Sequence, residues 1–244
     1  MSSTIVLVHG AWHGAWCWDR VTPGLRERGH HVIAVDLPGH GDDRGPFVDL
    51  HGDSAAVRAV LDQLDGEVDG DVLLVGHSYG GAVITEAGAH PTVGRLVYLA
   101  AFSLDDSEGC ASALATDPEA QAISHDGRPN LAHAFLLDDG LSTLTPDGAA
   151  DCLYNDCDPA TVEWAISRLG PHPLLNLTQA PDAVAWRDRP ATYVVCEHDM
   201  GVHPDLQRLL ARRCDEVVSW PLDHSPFLSD PARVVELLAG LADT

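Results

Sequence analysis

Three residues whose side chains can together cleave an ester follow apolar runs in this sequence. Ser78 lies in VGHSYG, residues 75–80, directly behind the run DVLLV. A serine hydroxyl becomes an effective nucleophile when a histidine takes its proton and a carboxylate orients that histidine. Each of two later apolar runs is followed by one of the missing partners, Asp199 in CEHDM and His224 in LDHSP. We therefore predict Ser78, Asp199 and His224 as the catalytic residues.

The glycines around Ser78 predict the local backbone. If a strand runs into a helix that begins near Gly80, the chain turns so sharply at Ser78 that Cβ atoms at positions 76 and 80 would collide. A glycine stands at each of these positions. The pattern G-x-S-x-G therefore predicts a nucleophile elbow, a strained corner between a strand and a helix that exposes the serine hydroxyl.

The order of apolar runs predicts the fold class. Short β-branched runs, which indicate strands, lie at 4–8, 31–35, 71–75, 95–100, 191–196 and 216–220. Helical patterns alternate with them at about 16–27, 54–64, 80–90, 204–212 and 231–241. Strands that are apolar on both faces belong to a parallel sheet covered by helices, so we expect an α/β fold with a doubly wound, mostly parallel sheet. Its carboxyl edge would carry the three residues in the order Ser–Asp–His.

One long segment interrupts this alternation. Residues 103–189 lack strong strand runs and carry helical patterns around 110–122 and 159–169. Because a structureless loop of this length is improbable in a compact domain, we predict an inserted helical cap at 103–189 over a core formed by 1–102 and 190–244.

Two further features of the predicted site can be assigned from the sequence. The oxyanion donors in this geometry are the backbone N–H groups of Tyr79, directly after the nucleophile, and of Ala11, in the loop after the first strand. The acid has a rival, because Asp105 follows the run at 95–100 and could also reach His224. We favour Asp199.

Composition excludes several classes of function. The chain has 14 basic and 37 acidic residues, a formal charge of −23, which argues against nucleic acid as a partner. It contains no lysine, which excludes Schiff-base chemistry on an enzyme amine. There is no apolar stretch of membrane-spanning length, and the first run begins at Thr4 without room for a signal peptide, so we expect a cytoplasmic protein that does not bind membranes.

We expect neither a cofactor nor a metal. His198, Asp199 and His203 imitate a ligand cluster, but their spacing fits no common zinc pattern. Cys152 and Cys157 lack a second close pair of cysteines, and we interpret the six cysteines as mostly buried thiols.

Five stretches of the sequence together resemble one known family: VLVHGAWHGAWCWDRV at 6–21, DLPGHG at 36–41, GHSYGG at 76–81, CEHDMGVHPDLQR at 196–208 and DHSPFLSDP at 223–231. They resemble the α/β-hydrolase superfamily, and more narrowly its branch of plant methyl esterases of the salicylate-binding type and hydroxynitrile lyases. The resemblance covers the whole core, while the cap diverges. It implies an α/β-hydrolase fold, with Ser78 as nucleophile, His224 as base, Asp199 as its orienter, and the N–H groups of Ala11 and Tyr79 as oxyanion hole.

Two departures from the resemblance separate its branches. Hydroxynitrile lyases of this group have a threonine where this chain has Gly10, and a lysine directly after the catalytic histidine, where this chain has Ser225. That lysine would stabilise departing cyanide. Its absence favours the esterase branch.

These observations predict a cofactor-free serine hydrolase of small apolar or aromatic carboxylic esters, working through an acyl-enzyme. Trp12, Phe102, Phe135 and Tyr154 are the residues we expect to bind the substrate. A lyase or a natural-product tailoring enzyme with the same triad is an alternative, as is a ligand receptor without catalysis. The resemblance also allows a homodimer, since members of the family often pair.

Overall fold

The computed structural model describes residues 3–64, 72–124 and 131–243. Asp71, the first residue of one predicted strand, lies outside these residues. The strands, numbered in chain order, are β1 (Thr4–Val8), β2 (His31–Val35), β3 (Val72–His77), β4 (Val93–Leu99), β5 (Phe135–Asp138), β6 (Leu141–Leu144), β7 (His172–Pro173), β8 (Ala191–Cys196) and β9 (Glu216–Trp220). The α-helices are α1 (Thr22–Glu27), α2 (Leu50–Leu64), α3 (Gly80–Ala87), α4 (Pro118–Gln121), α5 (Pro146–Leu153), α6 (Pro159–Ile166), α7 (Pro204–Ala211), α8 (Pro226–Ser229) and α9 (Pro231–Ala242).

Six strands form the central sheet in the order β2-β1-β3-β4-β8-β9, and every neighbouring pair is parallel. Strands β1, β3 and β8 are buried along their whole length, as the apolar runs indicate. The predicted doubly wound α/β sheet is confirmed. Because all six strands run the same way, the loops after β3, β8 and β9 open at one edge of the sheet.

Each face of the sheet has its own hydrophobic core. On one face, Val6 and Leu74 pack with Leu61 of α2 and Leu210 of α7. On the other face, Ile5, Leu73 and Val75 pack with Leu25 of α1 and Leu238 of α9. Burial of such side chains contributes about 1.5–3 kcal/mol each, so the two cores fix the strand ends that carry the site.

The segment between β4 and β8 differs from the helical cap that the sequence predicts. It contains α4, α5 and α6, but also a small antiparallel sheet in the order β5-β6-β7. The pattern at 110–122 is not one helix, because only a 3₁₀ turn at Cys110–Ser112 and the short α4 form there. The insertion is therefore mixed rather than wholly helical, while its boundaries at 103 and 189 stay a prediction.

A tight turn explains the unpredicted hairpin. Asp138 pairs with Leu141, and the two residues between them, Asp139 and Gly140, have φ angles of 44° and 79°. Two-residue hairpin loops favour positive φ at both positions, and Asp-Gly adopts such a turn readily. In the described part of the chain, no helix combines the length and the apolar character needed to cross a lipid bilayer.

Candidate active site

The turn at Ser78 has the strained backbone that the glycine pattern predicts. Ser78 has a φ of 52°, in the left-handed region that non-glycine residues rarely adopt, and it joins β3 to α3. A Cβ atom at position 76 would lie 2.5 Å from the carbonyl oxygen of Gly80. A Cβ atom at position 80 would instead meet the end of β1, 2.6 Å from the carbonyl oxygen of His9. Both glycines are therefore required, though for different contacts.

His224 and Asp199 lie side by side beyond the ends of β9 and β8. The Nδ1 of His224 lies 2.6 Å from Oδ2 of Asp199, and both residues are buried. The same carboxylate accepts hydrogen bonds from the N–H groups of Gly201 at 2.7 Å and Val202 at 2.8 Å, and from Nε2 of Gln207 at 2.7 Å. An ionised carboxylate only accepts, so Nδ1 of His224 donates and Nε2 is the nitrogen that can accept a proton.

The rival acid lies elsewhere. Asp105 forms a salt bridge with Arg187, and both side chains are partly exposed. Its backbone N–H donates to Glu108 at 3.0 Å. The structure thus brings Asp199, rather than Asp105, to His224.

The loop of His224 is tied to the elbow through the residue before the serine. Nε2 of His77 donates to the carbonyl oxygen of His224 at 2.8 Å, and the two imidazole rings lie 4.6 Å apart. Among the described residues, Ser78 Oγ forms no hydrogen bond to His224. Such bonds are often long in an enzyme without substrate and tighten when substrate binds.

Hydrogen bonds fix the two peptide planes that carry the expected oxyanion donors. His9 Nδ1 donates to the Gly10 carbonyl at 2.8 Å, and this carbonyl shares its peptide plane with the Ala11 N–H. The Ser78 carbonyl, in the same plane as the Tyr79 N–H, accepts from Gly81 N at 2.9 Å and Phe102 N at 3.1 Å. Within residues 3–64, 72–124 and 131–243, neither the Ala11 nor the Tyr79 N–H has an acceptor, so both can serve a ligand.

Comparison with known proteins agrees with this architecture. The model of the family described as "Alpha/beta hydrolase family" matches residues 5–237. The chain belongs to this family of α/β hydrolases. A carbendazim hydrolyzing esterase of Nocardioides is 32% identical over 98% of this chain and 99% of its own. Methylesterase 7 of Arabidopsis thaliana is 31% identical over 98% of this chain and 95% of its own. The structure of a pyrethroid hydrolase from Sphingobium faniae has a TM-score of 0.80 at 26% identity, covering 100% of this chain and 98% of that one.

Uncharged histidines surround the site of this hydrolase. Burial lowers the pKa of His13 to about 4, and it holds the pKa of His9 and His77 well below the usual value for histidine. Each of these rings forms a hydrogen bond with a nearby backbone carbonyl, and His13 also accepts from the hydroxyl of Tyr154 at 2.8 Å. They therefore act as neutral hydrogen-bonding groups that shape the loops.

The residues expected to bind substrate are only partly brought together. Trp12 and Phe135 are in contact, with ring centroids 5.3 Å apart, and Trp12 Nε1 donates to Ser142. The backbone N–H of Phe102 donates a hydrogen bond to the carbonyl oxygen of Ser78 in the elbow. Tyr154 reaches the surroundings of the site through its hydroxyl, which donates to His13, and it also lines a cavity of about 890 Å³ between α5 and α6 that Ser78 does not border. A role for these four residues in substrate binding stays a prediction.

Two of the candidate metal ligands, His198 and His203, are hydrogen-bonded to nearby aspartate residues. His198 is hydrogen-bonded to Asp156 at 2.7 Å, and His203 accepts from the N–H of Asp205 at the start of α7. A cluster that the sequence analysis missed is formed by His51, Glu86 and Asp182, whose ligand atoms lie within 4.8 Å of one another. Glu86 in this cluster bonds His51 at 2.8 Å and Arg58 at 3.0 Å, so ion pairing accounts for it.

Sequence reasoning also missed two buried polar residues beside the elbow. Asp53 of α2 and Asn176 of the insertion are almost completely buried, and both are hydrogen-bonded to the phenol of Tyr79. They are 123 positions apart in the chain, and no local pattern links them.

Proposed function

We propose that the protein is a serine esterase that hydrolyses small apolar or aromatic carboxylic esters through an acyl-enzyme on Ser78. The observation that carries the proposal is the buried hydrogen bond of 2.6 Å between His224 and Asp199, at the sheet edge where Ser78 occupies a strained turn. In this proposal His224 is the base, Asp199 orients it, and the N–H groups of Ala11 and Tyr79 bind the oxyanion.

Acylation would begin when Ser78 Oγ attacks the ester carbonyl carbon. The hydroxyl proton passes to Nε2 of His224, and the carbonyl electron pair moves onto oxygen, giving a tetrahedral anion. Asp199 stabilises the imidazolium that forms, because Nδ1 already donates to its carboxylate. The two N–H donors stabilise the oxyanion, and each such donor is worth about 10²–10³ in kcat.

Collapse of this anion would break the bond to the alkoxy oxygen. His224 gives its proton to the leaving alcohol, and Ser78 remains acylated. Water then repeats the sequence, with His224 taking its proton, and releases the carboxylic acid and free Ser78. His224 thus releases every proton that it takes up, and the reaction needs no cofactor.

The named relatives support ester hydrolysis as the reaction class. Two of them carry esterase in their names, and the structural neighbour is described as a pyrethroid hydrolase. Their names point to different esters, so we propose the class of reaction and leave the acid and alcohol open. A cytoplasmic location, a homodimer and the absence of nucleic-acid binding remain parts of the proposal that rest on sequence and resemblance.

The decisive experiment compares four purified proteins on 4-nitrophenyl acetate: wild type, Ser78→Ala, His224→Ala and Ser167→Ala. We expect the first two variants to lose about 10⁴-fold or more in turnover with little change in folding, because the triad acts as a unit. Ser167 is an exposed serine of the insertion and should be neutral.

Labelling adds a direct test of the nucleophile. A fluorophosphonate should add one adduct to the wild type and none to Ser78→Ala, measured by intact-mass spectrometry. Retention of more than about a tenth of the activity by Ser78→Ala would refute the assignment. Tight ligand binding without turnover of any ester tested would favour the receptor alternative.

A further inference from the structure

The phenol of Tyr79 is the centre of a buried polar cluster behind the elbow. Its hydroxyl donates to Oδ2 of Asp53 at 2.6 Å. Nδ2 of Asn176 lies 2.9 Å from the same carboxylate oxygen, 3.2 Å from the Tyr79 hydroxyl and 3.0 Å from the carbonyl oxygen of Val48. The cluster thus joins three separate parts of the fold: α2, the elbow and the insertion.

Stability alone does not explain this cluster. Oδ1 of Asp53 and Oδ1 of Asn176 are buried and have no hydrogen-bond partner in the described part of the chain. A buried polar atom without a partner costs about 1–3 kcal/mol, and apolar side chains of similar shape would avoid that cost. This polar cluster costs stability and lies beside the proposed nucleophile. We therefore expect it to have a function that apolar packing would perform less well.

The position of Tyr79 indicates what the function of the cluster is. Its backbone N–H is one of the two oxyanion donors in the proposed function, on which this inference rests. The Ser78 carbonyl fixes one end of that peptide plane through Gly81 and Phe102. The other end is the Cα of Tyr79, and its side chain is held at the far end by Asp53.

We infer that Asp53 and Asn176 are positioning residues that act through the Tyr79 phenol to hold the Tyr79 N–H in line for the oxyanion. Without that anchor the ring remains buried but can shift, and the N–H shifts with it. Misplacement by about 1 Å can cost on the order of 10²-fold in rate. The loss should fall on the transition state rather than on substrate binding, because the oxyanion forms only during the reaction.

The surroundings of the cluster contain few charges. The titratable groups that face it are Asp49, one turn before Asp53, Cys110 and His172, whose ring centroid lies 4.6 Å from that of Tyr79. Asn176 is polar but does not titrate. The Tyr79 hydroxyl can donate to Asp53 whether or not the carboxyl is ionised, so the anchor does not require one charge state.

The test uses single-group deletions with a matched control. Tyr79→Phe removes the anchoring hydroxyl and keeps the ring. Tyr98 of β4 has an equally buried hydroxyl, which is hydrogen-bonded to Thr85 of α3 at 2.9 Å, so Tyr98→Phe is the matched control and should leave activity unchanged. On 4-nitrophenyl acetate, we expect Tyr79→Phe to lower kcat about 10- to 100-fold with little change in KM.

Variants of the carboxyl supply a second measurement should one substitution disturb folding. Asp53→Asn keeps an acceptor for the phenol and should retain activity within several-fold, whereas Asp53→Leu should resemble Tyr79→Phe. The double variant Tyr79→Phe/Asp53→Leu should lose no more than the worse single variant, because both break one link.

The affinity of an inhibitor that mimics the transition state tests the contact between the oxyanion and its N–H donors directly. When Ser78 Oγ adds to an aryl trifluoromethyl ketone, its proton passes to His224 and the ketone oxygen becomes an anion at the two N–H donors. Tyr79→Phe should weaken this inhibitor in proportion to its loss of kcat/KM, while the unreactive aryl methyl ketone should bind as before.

Three results for Tyr79→Phe would overturn the positioning role. They are an equal weakening of the binding of both ketones, a change confined to KM, and a loss of kcat no larger than that of Tyr98→Phe. Failure of the trifluoromethyl ketone to attach to Ser78 in the wild type would instead contradict the proposed function, independently of Tyr79.

Discussion

Gly10 and His77 approach each other so closely that a Cβ atom at position 10 would lie 2.8 Å from His77 Nδ1 and 2.9 Å from Ser78 Cβ. Both contacts are shorter than atoms tolerate, so a side chain at position 10 must displace the elbow. A threonine at this position, which the resemblance to hydroxynitrile lyases would lead one to expect, cannot be accommodated in this backbone without such a shift.

We therefore expect Gly10→Ala to lower kcat/KM for 4-nitrophenyl acetate by about 10²-fold, and Gly10→Thr by more. Gly240→Ala is the matched control, because nothing lies within 4 Å of the added methyl group in α9 and alanine favours a helix. Equal activity of the Gly10→Ala and Gly240→Ala variants would contradict the close contact.

The acid can be tested by isosteric exchange. Asp199→Asn should leave the fold intact and lower turnover by about 10⁴-fold, because an amide at this position favours the wrong imidazole tautomer. Asp105→Asn, which removes a surface salt bridge to Arg187, should change turnover little. Steady-state kinetics of the two variants, with circular dichroism as a check of folding, decides between the acids. The reverse ranking would assign the role to Asp105.

The lyase alternative makes its own prediction. Ser225 follows His224, and its buried hydroxyl has no hydrogen-bond partner in the described part of the chain. Cyanide leaving a cyanohydrin would find no cation there, and a desolvated anion without a partner costs several kcal/mol. We expect protein that hydrolyses an aryl acetate to release no benzaldehyde from mandelonitrile above background. Benzaldehyde release is measured by its absorbance. Efficient cleavage would favour the lyase branch.

Asp53 predicts a pH dependence of stability. Burial raises the pKa of its carboxyl from 3.8 to about 7. Between about pH 4 and pH 7 the folded protein keeps a proton that the unfolded chain releases, so the free energy of unfolding falls as pH rises through this window. The difference between the two values corresponds to at most roughly 4 kcal/mol.

Asp53→Asn cannot ionise and escapes this loss. We expect its free energy of unfolding, relative to that of the wild type, to increase from pH 4.5 to pH 8, measured by urea denaturation. The comparison cancels the opposite effect of the neutral histidines, which both proteins share. A difference that stays constant with pH would mean that Asp53 is ionised throughout the range.

The sequence predicts most of the fold because the information is local. Six strands and four of the five predicted helices are confirmed, with ends that differ by a few residues, such as the predicted helix at 80–90, which ends at Ala87. The predicted helix at 16–27 is wrong in extent, because a 3₁₀ turn at Ala15–Trp18 and the short α1 form there instead. The turn at Ser78 is predictable for the same reason, since G-x-S-x-G places all its constraints within five residues.

The hairpin of the insertion and the cluster behind the elbow were not predicted, for different reasons. The β5–β6 hairpin carries a local signal in Asp139-Gly140, but the apolar runs that flank this pair are too short to indicate strands by themselves. Asp53 and Asn176 carry no such signal, because their meeting at Tyr79 depends on how the insertion packs on the core. The catalytic roles of Ser78, Asp199 and His224 stay predictions until activity is measured.

The strand order also determines when the site can exist during folding. Strands β4 and β8 are neighbours in the sheet, although β4 ends at Leu99 and β8 begins at Ala191. Pairing them closes a loop that contains the whole insertion, and contacts so distant in sequence tend to form late. A nascent chain that has emerged only as far as the insertion can build the elbow, but it lacks Asp199 and His224. Hydrolytic activity should therefore arise only after the last quarter of the polypeptide, which carries Asp199 and His224, has been synthesised and folded.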